Sequence, residues 1–153
     1  MRFVMAAMVL ILGPTGALCG PIETFENAKA IGASIRSMMN LRDVALSLER
    51  FRAEQGSYPT CDSMVCLRSV LGSKASFDGR DRWGEDLLVS SSPKSYLLSS
   101  KGEDRTGDHE EGGAVTSLGQ SITLKDGKFV QYFAKAEKTK DRLEQEIAAA
   151  RSR

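Results

Sequence analysis

The stretch ENAKAIGASIRSMMNLRDVALSLERFRAEQGSYPT, Glu26 to Thr60, reads as one long amphipathic helix with an abrupt end. Ile31, Ile35, Met38, Leu41, Val44, Ala45, Leu48 and Phe51 recur at steps of three and four. That period lines them along one face of an α-helix. The opposite face carries Arg36, Arg42, Asp43, Glu49, Arg50 and Arg52, and no proline interrupts the pattern. Gly56 can take the left-handed conformation that closes many helices, and Pro59 prevents continuation. A helix from Asn27 to Gln55 is about 43 Å long at roughly 1.5 Å per residue. One apolar face of that length needs a broad surface to lie against.

The second half of the chain supplies one. Leu87-Leu88-Val89 and Ser95-Tyr96-Leu97-Leu98-Ser99 flank the turn Ser92-Pro93, which predicts two short strands. Ser121 to Lys125 and Lys128 to Tyr132 flank Asp126-Gly127. Asp-Gly between alternating runs signals a hairpin, because a type I′ turn needs positive φ at both positions. The fold class is therefore α+β, a long N-terminal helix packed on a small antiparallel sheet. Trp83 is expected to cap the core between helix and sheet.

Between helix and sheet, Met64, Leu67 and Leu71 give a short apolar helical face with Asp62 as a plausible N-cap. That placement puts Cys61 at N′ and Cys66 at N4, two positions that touch in a hydrophobic staple. A Cys61–Cys66 disulfide is the favoured reading, and a pair of buried free thiols is the alternative. The spacing is not Cys-x-x-Cys, so a redox-active site is not expected.

The chain has 153 residues and a formal net charge of +1. It has room for one domain with extensions and no field that would attract nucleic acid. Residues 1–19 differ in kind from the rest. Arg2, the apolar run Phe3 to Leu12, and small residues around Ala17 and Cys19 follow the order of a secretory signal peptide. Cleavage after Ala17 or Cys19 is the first reading. An uncleaved N-terminal anchor and lipidation at Cys19 are the others. At the other end, residues 134–153 form a charged tail without Gly or Pro. Leu143, Ile147 and Ala150 make a narrow stripe, and Lys140–Glu144 and Arg142–Glu146 are i,i+4 pairs. A solvated or frayed helix is expected there, with a weak coiled-coil contact as the alternative.

Two groups of residues carry a resemblance. The first is the helix end Phe51 to Thr60 with Gly56-Ser57-Tyr58-Pro59. The second is the order Asp81-Arg82-Trp83-Gly84, then Tyr96-Leu97-Leu98-Ser99-Ser100-Lys101-Gly102-Glu103-Asp104, then a strand before Asp126-Gly127-Lys128-Phe129. Together they resemble type IV pilins, and in particular the C-terminal domain of the G-type major pseudopilin of type II secretion. The resembling domain is residues 26–133. The N-terminal end departs from the family, whose processing site precedes its hydrophobic stretch. Here the apolar run precedes the expected cut.

The resemblance implies a pilin-like fold with a calcium-type loop. Residues 100–113 hold five carboxylates and four glycines. By position, Ser100, Gly102 and Asp104 match the family's calcium loop, and Asp108 is a further ligand. The Asp that closes the loop in the family is replaced by Gln120-Ser121, and Glu110 or Glu111 substitutes for it. The expected metal set is Asp104, Asp108, Ser100 and Glu110, with Ca2+ as the cofactor.

The sequence points away from an enzyme. His109 is the only histidine and stands among carboxylates, with no paired nucleophile. Neither a phosphate-cradling glycine motif nor a Cys/His cluster for zinc is present. The expected function is that of a non-catalytic pilin-like envelope protein, a component or accessory of a type II secretion or type IV pilus-like assembly. Its partners would be other envelope, secretion or pilus proteins, self-assembly included, with no nucleic acid and no small-molecule substrate. The location would be periplasmic or extracellular, with an inner-membrane anchor as the alternative. The alternative function is an exported soluble binding module that reuses the fold.

Overall fold

The computed structural model describes residues 21–103, 105, 113–115 and 120–153. Its first element, α1, runs Pro21–Gln55. Met38, Leu41, Val44, Ala45 and Leu48 on the predicted stripe are fully buried, and Ile31, Ile35 and Phe51 pack on the core's margin. The helix stops where the sequence says. Gly56 has φ +81°, and its N–H donates to the Arg52 carbonyl at 2.8 Å.

A short helix follows, α2 (Met64–Leu71), burying Met64, Leu67 and Leu71. Its N-cap is Ser63, one residue later than Asp62. The Ser63 hydroxyl accepts from the Cys66 N–H at 3.3 Å and so satisfies an otherwise orphaned donor. Asp62 is left exposed. Cys61 and Cys66 are bridged, with Cα atoms 5.6 Å apart.

Five strands form the sheet: β1 (Leu88–Ser92), β2 (Ser95–Ser100), β3 (Gly113–Val115), β4 (Ile122–Lys125) and β5 (Lys128–Phe133). Their order is β1-β2-β4-β5-β3. The expected antiparallel sheet is mixed, because β3 lies parallel to β5 at one edge. The long connection between β2 and β4 supplies β3, and its length lets that strand reach the far side of β5. The β4–β5 hairpin turns at Asp126 (φ +48°) and Gly127 (φ +82°), as a type I′ turn requires. Tyr96, Leu98, Ile122, Leu124, Phe129 and Phe133 are buried in the core with the α1 stripe.

The other edge of the sheet is covered. Ser91 in β1 exchanges both backbone hydrogen bonds with Cys61, at 2.7 and 3.1 Å. Tyr58 N–H donates to the Pro93 carbonyl, and Leu87 N–H to that of Gly79.

The charged tail is not a solvated helix. After a 3-10 turn it forms α3 (Glu137–Arg151), which lies against α1 and β5. Leu143 and Ile147 are 0% and 1% exposed and belong to the main core. The narrow stripe suffices because α1 and β5 together present an apolar trough to it. Glu144, buried beside that stripe, accepts from the Phe129 N–H at 2.8 Å and from Lys128 at 3.3 Å. Among the described residues no helix is long and apolar enough to cross a membrane.

Candidate functional site

The mouth of the predicted metal loop is built around Asp81. This carboxylate is buried, and its Oδ1 accepts from the backbone N–H groups of Trp83 and Glu85, both at 3.0 Å. Its Oδ2 accepts from the Ser100 hydroxyl at 3.1 Å. The Ser100 Oγ in turn accepts from the Gly102 N–H at 3.3 Å. The turn is fastened to α1, where Arg82 N–H donates to the Ser37 hydroxyl and the Asn40 amide to the Arg80 carbonyl. Because Asp81 turns inward to hold this loop, Trp83 is directed to the margin. It is half-buried and outside the core, contrary to expectation.

Of the four expected calcium ligands, the structure describes only Ser100. Its hydroxyl donates to Asp81 and accepts from the Gly102 N–H, and its carbonyl accepts from the Ser99 hydroxyl at 3.4 Å. Asp104, Asp108 and Glu110 lie outside the described residues, as does His109. Among the described residues no three His, Cys, Asp or Glu side chains gather as a metal group. The described start of the loop is held by ion pairs, Glu85 with Lys101 at 4.0 Å and with Arg105 at 3.5 Å. Cys61 and Cys66 are brought together as expected.

A second cluster was hidden in the sequence. Glu49, placed on the solvent face by helical period, is 1% exposed. Its carboxylate accepts from the Tyr58 hydroxyl at 3.0 Å, from Tyr96 at 3.1 Å and from Arg151 at 2.7 Å. Arg52 stands 3.7 Å away. The two tyrosine rings meet edge to face at 5.0 Å. Burial, and then Glu49, push both phenols above their ordinary range. Hydrogen bonding to Glu49 raises Arg151 further. The group therefore holds one buried carboxylate, two neutral phenols and a guanidinium. All its strong donors point at Glu49, which suits a structural clasp. Only the Gly-x-Tyr-Pro end of the helix hinted at it, through Tyr58.

An apolar hollow of about 400 Å³ opens between α2 and the outer face of β1 and β2. Met64, Val65, Leu88 and Leu97 line it, with Asp62 and Lys101 on its rim. Val65 is 73% exposed there. The Ser99 hydroxyl on the same face is engaged with Thr123 at 3.1 Å.

Compared with models of known protein families, with characterised proteins and with solved structures, the chain finds no match.

Proposed function

We propose that this chain is a non-catalytic, pilin-like envelope protein that acts through protein contacts, as a component or accessory of a type II secretion or type IV pilus-like assembly. The observation that supports this reading is how the long helix is used. From Ser34 onward α1 has buried positions, and its stripe lies against the sheet. Of the described side chains before Ser34, Ala28 to Ala33, only Ile31 packs on the core's margin, and the rest are exposed or half-buried. A helix that runs on beyond its own core offers its free length to neighbours.

The proposal includes export through residues 1–19 and a calcium ion held by Asp104, Asp108, Ser100 and Glu110. Such an ion would order the loop and take no part in chemistry. The experiment is fractionation of the native cell envelope after mild crosslinking, with intact mass of the recovered chain. The expected result is a chain that sediments with the envelope and crosslinks to secretion or pilus proteins. A freely soluble mature chain without such crosslinks overturns the proposal.

That second outcome belongs to the other reading, an exported soluble binding module. The hollow between α2 and the sheet favours it, since a concave site that combines apolar side chains with polar ones is the usual form of a ligand pocket.

A further inference from the structure

We infer that the groove between α1 and α3 is a docking site for an acidic amphipathic helix of a partner protein. The inference deepens the protein-contact reading above and rests on it. The two helices run side by side in the same direction, as the pairs Arg42–Glu146 and Glu49–Arg151 require. Their outer sides enclose an open groove of about 540 Å³. Its floor is small and apolar: Leu46 and Ala53 from α1, Ala149 and Ala150 from α3. Small floor residues let a third helix approach closely, as ridge-into-groove packing demands. Leu46 to Ala53 covers two helical turns, which fits a partner presenting apolar residues at i, i+3, i+4 and i+7.

Charge decides which helix fits. The groove walls carry two acids and two bases. Both acids are already neutralised, Glu54 by Lys74, and Glu146 by Arg42 and Arg142. Neither Arg50 nor Arg153 has an ion-pair or hydrogen-bond partner among the described residues, and both are exposed. The side chains left unpaired at the groove, Arg50 and Arg153, are therefore both positive. Glutamates flanking the apolar stripe of an incoming helix complement them. A second copy is a poorer fit, since the exposed face of α1 carries Lys29, Arg36 and Arg50.

The test uses the full chain and a fluorescein-labelled, side-chain-stapled helical peptide. The peptide has Leu and Ala on one face and Glu on both flanks, and the control replaces Glu by Lys. The expected result is saturable, salt-sensitive binding of the Glu peptide. Amide shifts should be confined to residues 46–54 and 146–153. Joint Arg50→Glu and Arg153→Glu substitution should weaken binding about tenfold or more. Ala149→Trp, which fills the groove from an exposed position, should abolish it. Circular dichroism checks that the variants fold. Equal binding of the Lys peptide, or no saturable binding, overturns the inference. So does stronger binding to vesicles containing phosphatidylglycerol, which would mark a membrane site. A concentration-dependent dimer lost in Ala149→Trp would mark a self-contact and also overturns it. None of these outcomes bears on envelope fractionation, so the two readings fail separately.

Discussion

The Glu49 carboxylate and the Arg151 guanidinium meet at 2.7 Å across 102 residues of chain, and Arg151 also donates to the Asp126 carbonyl at 2.7 Å. One side chain of α3 thus ties the long helix to the β4–β5 turn. Gly127 in that turn lies under the same guanidinium, where an added Cβ would stand 3.1 Å from it and 3.0 Å from Ile147.

Arg151→Met should destabilise the fold by about 3 kcal/mol, because it leaves a buried carboxylate without its cation. The low end of the usual range applies, since Arg151 is partly in water and Arg52 stands near Glu49. Urea unfolding measures it. The double variant Glu49→Gln with Arg151→Met should recover part of the loss, which a cycle of the two substitutions isolates.

Alkaline pH should weaken the fold through Tyr58 and Tyr96. Both phenols are raised above the ordinary value of 10.0 by burial and by Glu49. Above that value the unfolded tyrosines ionise while the folded ones keep their protons. Their contribution is complete below it and is lost as pH rises toward the folded values. The limiting slope is about 1.4 kcal/mol per pH unit for each tyrosine. Urea midpoints between about pH 8 and pH 11 measure it. Tyr96→Phe should be less stable at neutral pH and show a shallower alkaline loss.

Without reductant, alkylation of the unfolded chain should find no free thiol at Cys61 or Cys66. Replacing both by Ser should keep the circular dichroism spectrum and lower stability by about 2 kcal/mol, the chain-entropy value for so short a loop. Complete alkylation of both cysteines in the native protein would contradict the bridge.

Millimolar calcium should raise the melting temperature relative to chelator, and Asp104→Ala should abolish the rise, since an ion bound only by the folded loop stabilises by mass action. Asp81→Ala offers a contrast. It should lower the melting temperature with or without calcium, because it frees Ser100 and two backbone N–H groups together. Equal melting in calcium and chelator would argue for a loop that needs no ion.

The parts of this fold legible in the sequence are those fixed by local spacing. The Met38–Leu48 stripe, the stop at Gly56 and the Asp126-Gly127 hairpin each depend on a few neighbouring residues. What was missed depends on distant ones. Glu49 follows the helical period onto the polar face, but Tyr58, Tyr96 and Arg151 close over it. The stripe Leu143–Ile147 looked too narrow to pack, because its trough exists only once α1 and β5 are side by side. Trp83 is the bulkiest apolar candidate for the core, yet two N–H bonds to Asp81 set the turn and turn it aside. β3 has three residues, too few for any alternation to register. Of the candidate metal set, only Ser100 lies within the described residues.

The covering of β1 has a consequence for growth. At that flank Ser91 exchanges both backbone bonds with Cys61 and the Leu87 N–H is taken by Gly79, which leaves a newcomer Val89 and the Leu87 carbonyl. So short a stretch is a poor seed for a strand. Among the described strands the β3 flank is the other edge, and a union of copies there uses up that flank on both members. Pairing of this kind ends at two and cannot make a fibre.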